Sequence, residues 1–308
     1  MTNAAPPSRD RLGRAVLRGL LDVRPSVGAY PAAAAAEGAA AQRLAGAKVY
    51  EFASADYPGA AQSDVFDTDG TTVVGAFVVD PSSASSPITA FTFAAGAYQI
   101  LAVPGSTASI ATSINGAGLI VGAYQDLAGV AHGFTDRGGT FITVDFPGAS
   151  STQAIGVNDA GHIVGSYFDA ASAEHGFVSQ GGTFTAINFP GATSTAAAGI
   201  NTSGDIVGAW SDATGTRGFL LQAGVFTPVD FPLATDTTAF GINDAGEIAG
   251  YYSDTAGNTH GFIYAGGAFS AVDVAGARST ELTRIKNGGP ITGVCSDAVM
   301  GIHGLIGR

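Results

Sequence analysis

The sequence predicts an all-β fold, a six-bladed β-propeller of four-stranded blades whose ring is closed by an N-terminal strand. Three observations carry this. A short string recurs six times at near-constant spacing. Each repeat holds four brief apolar runs separated by turn residues. Finally, 45 of the 308 residues are glycine, too many for helices and without the every-third period of collagen.

The recurring string is Gly156-Val157-Asn158-Asp159-Ala160-Gly161. It returns as Gly199-Ile200-Asn201-Thr202-Ser203-Gly204 and Gly241-Ile242-Asn243-Asp244-Ala245-Gly246, with a looser copy at Ser113-Ile114-Asn115-Gly116-Ala117-Gly118. Degenerate copies flank these, at Val65-Phe66-Asp67-Thr68-Asp69-Gly70 and Arg284-Ile285-Lys286-Asn287-Gly288-Gly289. Anchoring on the Asn position gives 67, 115, 158, 201, 243 and 286, spaced by 48, 43, 43, 42 and 43. The longer first interval is assigned to a Pro/Ser insert from Pro81 to Pro87.

Within one repeat the runs are Thr237–Asn243, Glu247–Ser253, His260–Tyr264 and Ala268–Val274. Asp244-Ala245-Gly246, Asp254 to Asn258 and Gly266-Gly267 separate them. Runs of four to eight residues bounded by Gly, Asp and Asn, without a helical period, read as strands. Four strands in about 40–50 residues make a propeller blade. The last repeat reaches only its third strand, Gly301–Ile306. Lys48–Gly59 matches the outer-strand string Thr140–Gly148 and precedes the first repeat. It is therefore expected to complete the last blade and leave no bare edge.

The Gly-Ile-Asn strand followed by three more is similar to the NHL type of propeller repeat, which implies that this strand lies innermost. The strings Gly161-His162-Ile163-Val164-Gly165-Ser166-Tyr167, His175-Gly176-Phe177 and Asp145-Phe146-Pro147-Gly148-Ala149 resemble the HAF repeat family of bacterial proteins over about residues 60–308. Arg217 and Thr89 depart from the histidine of the triplet. The resemblance implies a repeat structure and an extracellular or envelope location, and no defined chemistry. A cytoplasmic location stays open, because Arg14, Arg18 and Asp22 interrupt any secretory apolar core.

Composition narrows the partners. A net charge of −12 argues against nucleic acid and anionic membrane. No apolar run approaches the roughly 18 residues of a membrane span. A single cysteine, Cys295, excludes a disulfide framework. Residues 1–24 carry five arginines against two carboxylates, so the first 47 residues read as a separate extension with a short basic amphipathic helix over Arg9–Asp22 and an alanine-rich linker.

Four histidines share one repeat position, His132, His175, His260 and His303, each six residues after an aspartate. The spacing favours local pairs across a hairpin over a shared metal. The candidate site comes from where the repeats differ. On the inner strand two same-face positions vary, reading Gln62, Ile110, Gln153, Ala196, Thr238, Glu281 and Asp64, Thr112, Ile155, Ala198, Phe240, Thr283. Asp64 and Glu281 are candidates for acid and base. Gln62, Gln153, Arg278 and Arg284 are candidates for ligand contacts, gathered at one side of a funnel. The expected function is a monomeric binding propeller, without metal or organic cofactor, that takes a small polar molecule, glycan or protein at its top face and funnel. The alternative is a hydrolase, lyase or isomerase using the same funnel residues.

Overall fold

A computed structural model describes residues 50–83, 86–297 and 301–307. The proposed N-terminal helix and linker lie outside these residues. Every regular element among them is a strand, and none is a helix long and apolar enough to cross a membrane. After β1 (Phe52–Ser54), the first repeat supplies β2 (Gln62–Thr68), β3 (Thr72–Val78), β4 (Thr89–Ala94) and β5 (Ala97–Ile100). The second supplies β6 (Ala108–Ile114), β7 (Ile120–Gln125), β8 (Ala131–Arg137) and β9 (Thr140–Val144). The third holds β10 (Ser151–Val157), β11 (Ile163–Phe168), β12 (Glu174–Gln180) and β13 (Thr183–Ile187). The fourth holds β14 (Ser194–Ile200), β15 (Ile206–Asp212), β16 (Gly215–Gln222) and β17 (Val225–Val229). The fifth holds β18 (Asp236–Ile242), β19 (Ile248–Ser253), β20 (Thr259–Ala265) and β21 (Ala268–Val272). The last has β22 (Ser279–Ile285), β23 (Ile291–Ser296) and β24 (Ile302–Gly307).

Repeats two to five are four separate four-stranded antiparallel sheets. The first and last repeats depart from the expected six separate blades: they share one eight-stranded sheet. The cause is a parallel bridge, Gln62 to Ile302, which joins β2 to β24 where the two repeats meet. β1 pairs antiparallel with β24, Phe52 opposite Gly307 and Ser54 opposite Leu305. The inner strands β2, β6, β10, β14, β18 and β22 pack on one another in that order, and β22 also packs on β2.

The repeated triplet builds the core. Phe91, Phe134, Phe177, Phe219 and Phe262, each on the third strand, are fully buried. Each such ring removes enough surface from water to contribute about 1.5–3 kcal/mol. The ring needs room on the second strand. A Cβ on Gly165 would stand 2.9 Å from the Phe177 ring and collide with the Gln153 carbonyl, which accounts for the glycine in Ile-Val-Gly.

The asparagines tie neighbouring sheets. Asn115 Nδ2 donates to the Asn158 carbonyl at 2.9 Å, and Asn158 repeats this onto Asn201 at 2.9 Å. Asn201 reaches Asn243 at 3.4 Å. Each Oδ1 accepts from its own turn, as Asn158 does from the His162 N–H at 2.9 Å. The first repeat corrects the sequence register. Asp64 pairs with Ala76 and Val65 with Gly75, as Gln153 pairs with Ser166 and Ala154 with Gly165. Asp67 therefore takes the place of Gly156, and Asp69, not Asp67, takes that of Asn158. The interval from 69 to 115 is 46 residues rather than 48. The turn in this repeat is one residue shorter, closing from Asp69 to Thr72 where the others close from Asn158 to His162. With two aspartates available, spacing alone selected the wrong one.

Candidate functional site

The six turns that follow the inner strands surround one axial cavity of about 370 Å³. Its wall is apolar, made by Val157, Ile200, Ile242 and Ile285. Its rim is polar, with Asp69, Asp159, Asp244, Thr202, Lys286 and Asn287. Asp159 and Asp244 are held in place by neighbouring repeats. Asp159 Oδ1 accepts the Gly116 N–H at 2.8 Å, and Asp244 accepts the Thr202 N–H at 2.8 Å and Asn287 Nδ2 at 2.7 Å. The Thr202 N–H holds the Asp244 carboxyl below its usual range, with Asn287 and the Thr202 hydroxyl adding to the effect. Asp244 thus keeps its negative charge at neutral pH.

A buried ionic group lies one residue below this cavity. Arg284 stands where other repeats have Gly156, Gly199 and Gly241, and is 5% exposed. Its Nη1 donates to the carbonyls of Phe240 at 3.1 Å and Thr283 at 2.8 Å. Its Nη2 donates to Ile155 at 2.5 Å and Thr112 at 3.4 Å. Nε is 3.8 Å from Asp67 Oδ2, and the guanidinium sits 5.1 Å from the Phe240 ring centroid. Asp67 is fully buried and also accepts Ser113 Oγ at 2.6 Å, the Ile114 N–H at 3.0 Å and Lys286 Nζ at 2.8 Å. Burial presses the Arg284 pKa down and Asp67 opposes it. Arg284, expected to contact ligand, is instead an axial brace whose donors are engaged by four strands.

The other predicted residues lie toward the opposite end of the axis. Asp64, Gln153 and Glu281 occupy equivalent positions on β2, β10 and β22, with Asp64 and Gln153 buried and Glu281 half-buried. Gln62 begins β2, two residues short of this level, and Arg278 is exposed in the loop before β22. The structure therefore brings Asp64 and Glu281 to one level in repeats that meet at the seam. It separates them from the cavity by Arg284. Sequence reading missed the cavity because its rim was read as turn chemistry alone. The available signal was that six such turns must converge once the inner strands surround one axis.

The histidines bridge two acceptors each. His132 meets Asp126 at 3.4 Å through Nε2 and Asp145 at 2.8 Å through Nδ1. His175 lies between Asp169 and Asn188, and His260 between Asp254 and Asp273. The sequence revealed only the longer contact; the shorter one goes to the residue after the outer strand. Stacking supports the imidazoles, as Tyr167 does for His175 with centroids 5.1 Å apart. Among the described residues no group of three or more His, Cys, Asp or Glu is arranged for a metal ion.

His303 joins the two ends of the chain. Its Nδ1 is 2.9 Å from Asp56 Oδ2 and its Nε2 3.4 Å from Asp297. The Asp56 hydrogen bond raises its pKa above the ordinary histidine value, and Asp297 adds to this against the opposing effect of burial. A raised folded-state pKa means stabilisation that is complete below about pH 6.5 and is lost as pH rises through the folded value. The stability advantage of the native protein over His303→Asn is therefore expected to be largest near pH 5.5 and to shrink above neutrality. Urea unfolding at both pH values checks this, and an advantage that grows with pH contradicts it.

In fold, the chain is similar to TolB from Acinetobacter baumannii, with TM-score 0.55 and 9% identity over 77% of this chain and 64% of that one. The chain is an all-β propeller. It is also similar to AofleA from Arthrobotrys oligospora, with TM-score 0.52 and 12% identity over 86% and 88% of the two chains. A Trypanosoma rangeli sialidase in complex with the inhibitor DANA gives TM-score 0.51 and 10% identity over 80% and 54%. This chain thus spans less than two thirds of the TolB chain. Identities this low carry the fold alone. No family model matches the sequence, and no curated protein matches it.

Proposed function

We propose that the protein is a binding propeller that holds a small, polar, uncharged or cationic molecule in the axial cavity formed by its turns. The cavity carries this reading. It is concave, its volume of about 370 Å³ falls within the size of known ligand sites, and an apolar wall under a fixed polar rim suits a hydroxylated ligand such as a mono- or disaccharide. Arg284 and Asp67 favour a blind pocket over a through-channel. The three rim aspartates and one lysine disfavour anions. Six blades are part of the proposal. The six turns around the cavity support that count, with the eight-stranded sheet taken as two blades joined by the Gln62 bridge and β1 as the outer strand of the last. Export, implied by the resemblance to HAF repeats, would give such a site access to extracellular glycans.

The test is a calorimetric screen of neutral mono- and disaccharides against the native chain and Thr202→Trp. Thr202 is exposed on the rim, so tryptophan there should obstruct the mouth without entering the core. At least a tenfold loss of affinity, about 1.4 kcal/mol, is expected, with an unchanged melting temperature. Saccharide binding that is indifferent to Thr202→Trp, or no binding across the panel, rejects the cavity as the site.

A further inference from the structure

The axial cavity is not alike on all sides. Among the described residues, the amide links between repeats run from Asn115 through Asn158 and Asn201 to Asn243 and stop there, because Asn243 Nδ2 turns back to Glu247 Oε2 at 2.6 Å. The next two repeats carry Lys286 and Asp69 in place of the asparagine. Asp69 has no side-chain N–H to offer. Lys286 reaches past the first repeat, donating to Asp67 Oδ2 at 3.0 Å and to the Ile114 carbonyl of the second at 3.2 Å. These two hydrogen bonds leave one of the three ammonium donors, and the side chain lines the cavity and is 29% exposed. The residue after this position carries a side chain in four repeats, Asp159, Thr202, Asp244 and Asn287, and is Gly70 and Gly116 in the first two. A Cβ on Gly70 would meet no other atom within 4 Å. The rim is therefore open beside Lys286 and Asp69.

Asp69 offers more than its turn needs. Its Oδ1 accepts the N–H groups of Thr71 at 2.8 Å and Thr72 at 2.7 Å and the Thr71 hydroxyl at 2.8 Å, much as Asn115 Oδ1 accepts from Ala117 and Leu119. Asparagine would close this turn equally well. The second oxygen, Oδ2, accepts no hydrogen bond from the described residues, and it is not among the buried unpartnered atoms. Burial acts to raise the Asp69 pKa, but the Thr72 and Thr71 donors and the Lys286 charge together hold it below its usual range. The cavity thus presents a fixed anionic acceptor beside a cationic donor. An ammonium group only donates and a carboxylate only accepts, whereas a hydroxyl does both. A cationic ligand would meet Lys286 unpaired, and an anionic one would meet Asp69. On the reading of the cavity as the binding site, we infer that it selects a neutral saccharide, held where repeats six, one and two meet by two adjacent hydroxyls, one accepting from Lys286 Nζ and one donating to Asp69 Oδ2. Hydrogen bonds to charged partners are the stronger kind, so this side of the cavity sets both the orientation and the charge of the ligand.

The probes are glucose, galactose and mannose, each with its 2-amino-2-deoxy and uronate counterparts, titrated calorimetrically against the full chain. At least one neutral hexose is expected to bind, with its amino and uronate counterparts at least about tenfold weaker, because each places a charge against a like charge. Asp69→Asn restores the residue of four other repeats, so the melting temperature should hold or rise. Hexose affinity should nevertheless fall at least about tenfold, because a hydrogen bond to a charged acceptor is lost. Hexose binding that is weakened by Thr202→Trp but unchanged by Asp69→Asn overturns the hydroxyl assignment and leaves the cavity standing. An amino sugar that binds as tightly as its neutral parent does the same. Absence of hexose binding, or binding indifferent to Thr202→Trp, removes the cavity and this assignment with it.

Discussion

Deletion of residues 1–58 is expected to leave a protein that is insoluble or unfolds at ambient temperature, while deletion of 1–40 leaves the melting temperature unchanged. The longer deletion removes β1 and uncovers β24, a strand edge open to pairing with other chains. It removes Phe52, which packs against the cluster of Ala249, Ile263, Leu282, Ile285 and Ile291, and Tyr57, which stacks on Phe77 with centroids 3.8 Å apart. It also removes Asp56, which accepts the Gly304 N–H at 3.2 Å and pairs with His303. Two half-buried aromatic anchors with several strand hydrogen bonds amount to on the order of 5 kcal/mol, comparable with the whole stability of many domains. The shorter deletion touches none of these residues. Thermal unfolding of the two truncations decides the matter, and equal stability would mean that β1 does not hold the seam.

Arg284→Gly is expected to destabilise the protein by about 3–5 kcal/mol, although it restores the residue that three other repeats carry. Replacement by the repeat consensus usually stabilises, by about 0.5–2 kcal/mol. Here it strands the fully buried Asp67 carboxylate with Lys286 as its remaining cationic partner, and it takes donors from the carbonyls of Thr112, Ile155 and Phe240. The double variant Asp67→Gly with Arg284→Gly should lose less than the sum of the two single changes, because the members of one charge network are not independent. Chemical denaturation of the three variants measures this. Arg284→Gly as stable as the native chain would remove the brace and return Arg284 to the ligand-contact role that its sequence position suggested.

Much of the fold was legible because its causes are local. The strand boundaries read for the fifth repeat differ from those observed by at most two residues, since Gly, Asp and Asn mark the turns by their own backbone chemistry. The phenylalanines stand in a triplet that repeats in the sequence, but their burial and the glycine that makes room for each came only with the structure. The histidine–aspartate contacts were legible only in part. Asp126 and His132 are six residues apart on one hairpin, whereas Asp145 approaches His132 through the pairing of β8 with β9.

By itself the sequence determined the repeat, its four strands and the positions at which repeats diverge, because periodic packing imposes the same residue types at the same intervals. It also marked the first and last repeats as irregular. Only the tertiary structure decided what the irregularities do. The slip of two residues in the first repeat depends on which backbone groups close a turn, and it alone sets Asp67 against Arg284. The assignment of Arg284 to a brace depends on what stands across the axis. For Arg284 the carbonyl partners at Phe240 and Thr112 are 44 and 172 residues away, and Asp67 is farther still. No local spacing encodes such distances, because they are fixed by inner strands that meet only when the sheets assemble about one axis.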